Sequence, residues 1–446
     1  MKADAVVVGA GIAGIAAAHD LAVKRGLEVV IVDSRPPLTL TSDKSTECYR
    51  NWWPNQPMVG LMNRSIDLLE EYAQASSNVF SLSRRGYLFV TSRPEMVKQW
   101  IAEAHSISGF GAGPVRLHPG GVEYEPPSAD GVVETINGAD IFTTSVEVQR
   151  RFPYLTQDAV GALHIRRAGW FSAQQLGSWM LERSRDAGAL LIPELVTGIA
   201  TSDGHVARVI TDTHEIESAI VIDAAGPMAA EVAAMVGVEL PLKSELHLKV
   251  GYRDHRNVVP RDAPMLIWSD PQRLDWSTEE RTALEEMGRH DLLGEMPIYC
   301  HGRPEGAEGS QHFLALWEYH GEVRDPTWPL PADDLYPEVV AKGLSTMIPE
   351  FETYLDGLPE STVDGGYYMK TEENRPLVGP AGPPGFYLAC GYPGFGVMVA
   401  CGAADLLGRH VTGDAVPSYS PAFLLDRYQD PDYIATIRGG VASGQL

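Results

Sequence analysis

Residues 4–33 constrain this chain more than any other stretch. The apolar run Ala5-Val-Val-Val8 leads directly into Gly9, Gly11 and Gly14, a small-residue segment follows, and a second apolar run, Val29 to Val32, ends in Asp33. This order predicts a buried strand, a helix and a second, parallel strand within one βαβ unit. Gly9 permits the tight turn out of the strand, and Gly11 lets the backbone approach a pyrophosphate. Gly14 removes a side chain where the helix presses on the sheet. The helix N-terminus, with Ile12 and Ala13 at its start, aims unpaired N–H groups and a positive dipole end at the phosphates. Asp33 is placed to accept hydrogen bonds from a ribose diol, with Ser34 and Arg35 beside it. A glycine triplet alone would fit a structural βα turn. The whole strand–helix–strand–acid context points to an adenine dinucleotide, and leaves open whether it is a nicotinamide or a flavin.

Length and charge narrow the setting. A chain of 446 residues suits two intimately joined domains. Its net charge of −24 argues against nucleic acid and against anionic membrane surfaces, since both need clustered Lys and Arg. Cys48, Cys300, Cys390 and Cys401 are widely spread, so neither a disulfide framework nor a zinc site is expected. Cys300, His301 and His312 flank the Gly302–Gly309 connection and read as a hairpin, not a metal corner; no metal is expected. The apolar run from Ala5 to Ala18 lacks a basic n-region and a cleavage motif, so it reads as a buried strand and helix. No run of 18 or more apolar residues suggests a membrane span, and a reducing cytoplasm is the expected compartment.

Periodicity predicts a helix over 57–77, a strand over 86–91, a helix near 95–105 and another over 170–187 from Ser172 as N-cap. Short strands are expected at 190–192, 196–200, 206–211, 216 and 219–222. Residues 245–330 are rich in Trp, His and Pro, with strand-like runs at 246–252, 265–268, 297–300 and 312–319 and an exposed helix within 276–290. A last strand, 385–391, feeds Tyr392-Pro393-Gly394-Phe395-Gly396 and an apolar helix to Leu407. Glycine-led strand-to-helix turns therefore stand at both ends of the chain. That predicts an α/β fold with a discontinuous, doubly wound dinucleotide domain (1–84, 150–244 and 365–446). A substrate domain built on a mostly antiparallel sheet (85–149 and 245–364) interrupts it. The second cluster, Gly391 to Gly396, opens a helix whose N-terminus would stabilise negative charge on a reduced flavin; ordinary helix packing is the competing reading.

Several ordered segments now resemble the FAD-dependent amine oxidoreductases of the D-amino-acid oxidase, glycine oxidase and sarcosine oxidase family. They are the 4–33 unit; Thr41 to Arg50, similar to a flavin-contact loop carrying a substrate arginine; and Gly169 to Leu176. Val196-Thr-Gly-Ile, Val221-Ile-Asp-Ala-Ala225-Gly226, Thr371 to Gly379 and Gly391 to Gly396 complete the set. The resemblance implies FAD held by Gly9, Gly11, Ile12, Ala13, Gly14, Asp33, Ser34 and Arg35, by Ser42, Ser45 and Thr46, and by Val196, Ala225 and Gly226. It adds Arg375, Gly391, Tyr392, Gly394, Phe395 and Gly396. Where sarcosine oxidases carry a flavin-tethering cysteine, this chain has Gly365-Gly366-Tyr367-Tyr368, so FAD is expected to be non-covalent. Their lysine after the last glycine cluster is replaced by Val397 and Met398, and Ser172 stands in place of an aspartate.

The resemblance further implies oxidation of a C–N bond in an amino acid or a secondary or tertiary amine, with hydride passing to flavin N5 and an imine that hydrolyses. The partners would be a small amine and O2 or another electron acceptor; oligomeric state is not legible. Arg50 is the main substrate candidate, since a guanidinium clamps a carboxylate with two parallel hydrogen bonds. Tyr368 and Lys370 are the other catalytic candidates. His247, Tyr299, Trp317 and Tyr319 fall on strands of the substrate sheet, where alternation sends about half of them away from any pocket. Three other readings compete. They are a nicotinamide dehydrogenase, which leaves Gly391 to Gly396 unexplained, a flavin hydroxylase, and a non-enzymatic FAD-binding protein. Gly413-Asp414 resembles a hydroxylase motif but follows the last helix and reads as a turn.

Overall fold

In the computed structural model, residues 1–127, 136–306 and 309–438 are described. The parts of the predicted segments that fall on 128–135, 307–308 and 439–446 lie outside the described residues. A six-stranded sheet forms around the first strand, in the order Leu377–Pro380, Phe386–Cys390, Val221–Asp223, Ala5–Val8, Val29–Val32, Leu190–Ile192. Its strands are parallel except the edge strand Leu377–Pro380. Strand alternation divides its apolar side chains between two cores. Ala5, Val7, Val29 and Ile31 pack with the helices Ile12–His19, Gln56–Ala75, Ala173–Asp186 and Gly396–Thr412. Val6, Val8, Val30 and Val32 meet the three-stranded sheet Val196–Ser202, His205–Thr211, Glu215–Glu217 and the short helix Ala229–Ala234.

The second large element is a nine-stranded sheet. Its order is Ser361–Lys370, Lys243–Arg253, His312–Leu316, Cys300–Glu305, Met265–Trp268, Tyr87–Thr91, Gly161–Ile165, Ala139–Phe142, Val115–His118. It is antiparallel apart from two parallel pairs. A two-stranded ribbon, Cys48–Arg50 with Ala168–Trp170, lies between the layers. Three sequence-predicted helix starts are set as their capping chemistry requires. Asn55 accepts from Met58 N–H, Ser172 from Gln175 N–H, and Ser277 forms a full capping box with Glu280.

The strand expected at 297–300 begins instead at Cys300 and runs to Glu305. Tyr299 adopts φ 72°, which breaks the extended backbone ahead of Cys300. Arg303, buried within this strand, donates to the Thr46 carbonyl at 2.6 Å and pairs with Glu305, which carries the strand into what sequence assigns to the connection. The expected hairpin partner does pair with it, from His301↔Leu316 to Glu305↔His312.

Candidate active site

One elongated cavity runs along the C-terminal edge of the parallel sheet, where ligands collect in open α/β sheets. Its empty space, open mouth included, is about 1340 Å³. At one end it is lined by Gly9, Gly11, Ile12, Ala13, Asp33, Ser34 and Arg35, with Val196, Ala225 and Gly226 opposite. Ser42, Ser45, Tyr368, Gly391, Tyr392, Gly394 and Gly396 complete the lining. Residues from both ends of the chain thus share one space.

The glycines meet different demands. Gly9 sits at φ 109°, and a Cβ there would collide with the Ala224 carbonyl. Gly14 does not line the cavity; a Cβ on it would strike the Gly9 carbonyl oxygen, so it sets the closeness of helix and strand. A Cβ on Gly11 would meet only the Ser42 hydroxyl, at 3.2 Å. That hydroxyl accepts the Ile12 N–H at 2.9 Å, which ties the Thr41 to Ser45 loop to the helix N-terminus. Asp33 accepts the Ala10 N–H at 2.7 Å on one oxygen and the Arg35 N–H at 2.9 Å on the other. Each oxygen keeps a second lone pair for a ribose hydroxyl. The Arg35 guanidinium lies 5.4 Å from the Trp328 ring, in the connection between the strands His312–Leu316 and Ser361–Lys370 of the larger sheet.

Four predicted cofactor residues stand back from the cavity lining. Gly14 packs as described, and Thr46 spends its carbonyl on Arg303. Phe395 starts the closing helix and packs edge-on against Trp53, ring centroids 4.8 Å apart. The Arg375 N–H donates to the Thr371 hydroxyl, and its carbonyl accepts from that hydroxyl and from the Arg427 guanidinium.

The catalytic candidates divide similarly. Arg50 is 3 % exposed, with its guanidinium 4.6 Å from the Trp53 ring and 5.5 Å from Tyr87. Its Nε donates to the Trp52 carbonyl at 3.1 Å. Burial pulls its proton affinity down, with Tyr87 and Tyr299 acting against that. Glu47, its neighbour in sequence, turns to the Ala173 N–H at 2.7 Å and to Arg303 at 3.6 Å. Tyr368 lines the cavity. Lys370 is already paired, Nζ to Glu245 Oε2 at 2.6 Å. Cys390 also lines the cavity, but burial pushes its thiol well up, so it stays protonated and a poor nucleophile.

Of the four residues expected on strands, His247 lies on one, whereas Tyr299, Trp317 and Tyr319 fall just outside the strands Cys300–Glu305 and His312–Leu316. Trp317 belongs to the aromatic core, and Tyr319 packs against that core with its hydroxyl on Asp333. Tyr299 and His247 face the other way, toward Arg50 and Tyr368. The sequence reading missed Glu245 and Glu318, whose carboxylates flank His247. Glu245 was findable, as it stands two residues before His247 on one strand; Glu318 lies just beyond the strand His312–Leu316 and carries no local signal. Among the described residues no group of three or more His, Cys, Asp or Glu side chains is arranged to hold a metal.

The glycine cradle, the helix N-terminus and a cavity extended past one nucleotide fit FAD. A family model described as FAD dependent oxidoreductase matches residues 4–409. The chain belongs to this family. The FAD-dependent oxidoreductase shares its fold with glycine oxidase from Geobacillus kaustophilus, at TM-score 0.73 and 17% identity over 95% of this chain and 98% of that one. L-proline dehydrogenase from P. horikoshii superposes at TM-score 0.72 with 20% identity over 99% of both chains. Iminodiacetate oxidase from Chelativorans sp. BNC1 gives TM-score 0.67 and 16% identity over 94% and 98%. Among the described residues of this oxidoreductase, no helix is long and apolar enough to cross a membrane.

Proposed function

We propose that the enzyme oxidises a C–N bond in a small amino acid or secondary amine that carries a carboxylate. Bound FAD supplies the two-electron acceptor for such a reaction. The single observation that carries the reading is that Tyr368 and the closing turn, through Gly391, Tyr392, Gly394 and Gly396, line the same cavity as the dinucleotide cradle. Arg50 lies in its aromatic box beside Phe395's partner, Trp53. Arg50 would pair with the substrate carboxylate, and Tyr368 would orient it or the amine. The helix Gly396–Thr412 points its N-terminus at the same cavity, where it favours negative charge. The names of the structural neighbours, among them glycine oxidase and iminodiacetate oxidase, lie in the same substrate class.

In this reading residues 1–84, 150–244 and 365–446 hold FAD and residues 85–149 and 245–364 cap the substrate. The strands Gly161–Ile165 and Ser361–Lys370 cross into the larger sheet. O2 or another carrier takes the electrons away. The deciding experiment is an anaerobic screen of amino acids and N-substituted glycines against the purified yellow protein. Bleaching of the flavin by at least one carboxylated amine is the expected result. A flavin left oxidised by every amine, yet reducible by dithionite, would leave the chain an FAD-binding protein of another kind.

A further inference from the structure

Beside Tyr368 lies a group of charges that the proposed reaction does not use. Glu245 and His247 project from one face of strand Lys243–Arg253, while Leu246 and Leu248 face the aromatic core. His247, 3 % exposed, places Nε2 at 3.3 Å from Glu245 Oε2 and Nδ1 at 3.4 Å from Glu318 Oε1. Lys370, from strand Ser361–Lys370, completes the group through Glu245. The imidazole stacks on Tyr368 with ring centroids 4.2 Å apart and planes 12° from parallel. His301, on the strand Cys300–Glu305, is a further titratable neighbour, and burial lowers its pKa toward the neutral form; Cys48 acts on Tyr368 as well.

Carboxylates beside both nitrogens favour the imidazolium by charge: Nε2 hydrogen-bonds Glu245, while Nδ1 stands at ion-pair distance from Glu318 without a hydrogen bond. Burial opposes the charge on His247, but Glu318 and Glu245 outweigh it against Lys370, and its pKa lies above the ordinary 6.5. Burial likewise opposes ionisation of Glu318, yet His247 and Lys370 hold its carboxyl at about 2.

We propose that His247, clamped between Glu245 and Glu318, is a positioning residue that fixes the Tyr368 ring and holds a cation against it. This rests on the reading that Tyr368 meets the substrate at the flavin end of the cavity. A cationic ring stacked on a phenol draws electron density from it, and in a buried site that polarisation is not screened by water. Loss of the imidazolium proton to solvent would leave Glu245 and Glu318 facing each other across a neutral ring, and the clamp would loosen.

The test uses the oxidised holoenzyme without substrate, its visible flavin spectrum followed from pH 5.5 to 10. The wild type should show one reversible transition with a midpoint above 6.5. His247→Gln should abolish it with FAD still bound, and Glu318→Gln should move it down by about one pH unit. Absence of a transition in the wild type overturns the proposal, as does its persistence at the same pH in His247→Gln. If His247→Gln does not hold FAD, Glu318→Gln decides, and an unmoved midpoint overturns the clamp. A transition that follows His247 in a protein whose flavin no amine bleaches would leave the clamp standing and remove the amine-oxidising reading. Bleaching without the transition would do the reverse.

Discussion

Gly11 and Gly14 stand three residues apart and respond to a side chain in different ways. A Cβ at Gly14 meets the Gly9 carbonyl oxygen, so Gly14→Ala must push the helix Ile12–His19 off its strand. The expected loss is about 1–3 kcal/mol, read as a lower urea midpoint. A side chain at Gly11 meets little protein but projects where the dinucleotide would lie. Gly11→Val should therefore purify colourless, without FAD, while its far-ultraviolet circular dichroism matches the wild type. Arg50 is set among Trp53 and Tyr87, a site that accepts a planar guanidinium. Arg50→Lys keeps the charge but loses the fork, and KM for a carboxylated amine should rise about tenfold or more with FAD content unchanged. Normal steady-state kinetics in that variant would remove Arg50 from the substrate site.

The helices were legible wherever a cap or a period announced them. Ser172 starts the helix Ala173–Asp186, as its position before an apolar period predicts, and its hydroxyl accepts the Gln175 N–H at 3.3 Å. Ser172→Ala should cost about 1 kcal/mol of unfolding free energy, measured in urea, with FAD retained. The strand Ser361–Lys370 was not legible. Its paired glycines look like a break, but it pairs with Lys243–Arg253 along its whole length. A Cβ at Gly365 would come within 2.6 Å of the His247 carbonyl oxygen, and one at Gly366 would press on Lys44 and Thr41 at 3.1 and 3.2 Å. These glycines serve close approach between strand and loop, a demand that arises only once both are in place. The strand at Cys300–Glu305 was misplaced for a similar reason. Its Gly and Pro suggest a loop, and the buried Arg303 that holds it depends on Thr46, far away in the chain.

For the whole molecule, pH acts through histidines buried without charge. Burial lowers the pKa of His19 to about 4, with Lys24 adding to it, and of His164 to about 3, with Arg166 adding to it. Unfolded, each titrates near 6.5, so below that pH the unfolded chain binds protons that the folded one refuses. Their effect is absent at neutral pH and grows as pH falls from about 6.5 toward the folded values. His19 alone should remove about 3 kcal/mol by pH 4. Urea unfolding at pH 7 and pH 4 should show the loss, and His19→Gln should reduce the difference between the two. A difference unchanged by that substitution would assign the acid sensitivity to other groups.

At this scale the division between sequence and structure is also clearest. The dinucleotide turn, its acid, the closing glycine turn and the family likeness could be read from residues 4–33, 41–50 and 391–396, because each is a local answer to a local demand for a tight turn, close approach or an open helix end. Sequence also assigned Lys370 and Arg375 to the site, where tertiary packing pairs the first with Glu245 and sets the second beside Thr371 and Arg427. Only the tertiary structure brought Glu318 to His247 and His247 to Tyr368, from segments far apart in the chain. Pairwise charge and stacking depend on distance in space, and a single sequence carries no measure of that distance. The opening glycines determine that this chain holds a dinucleotide, and the fold decides which charges stand around its reactive end.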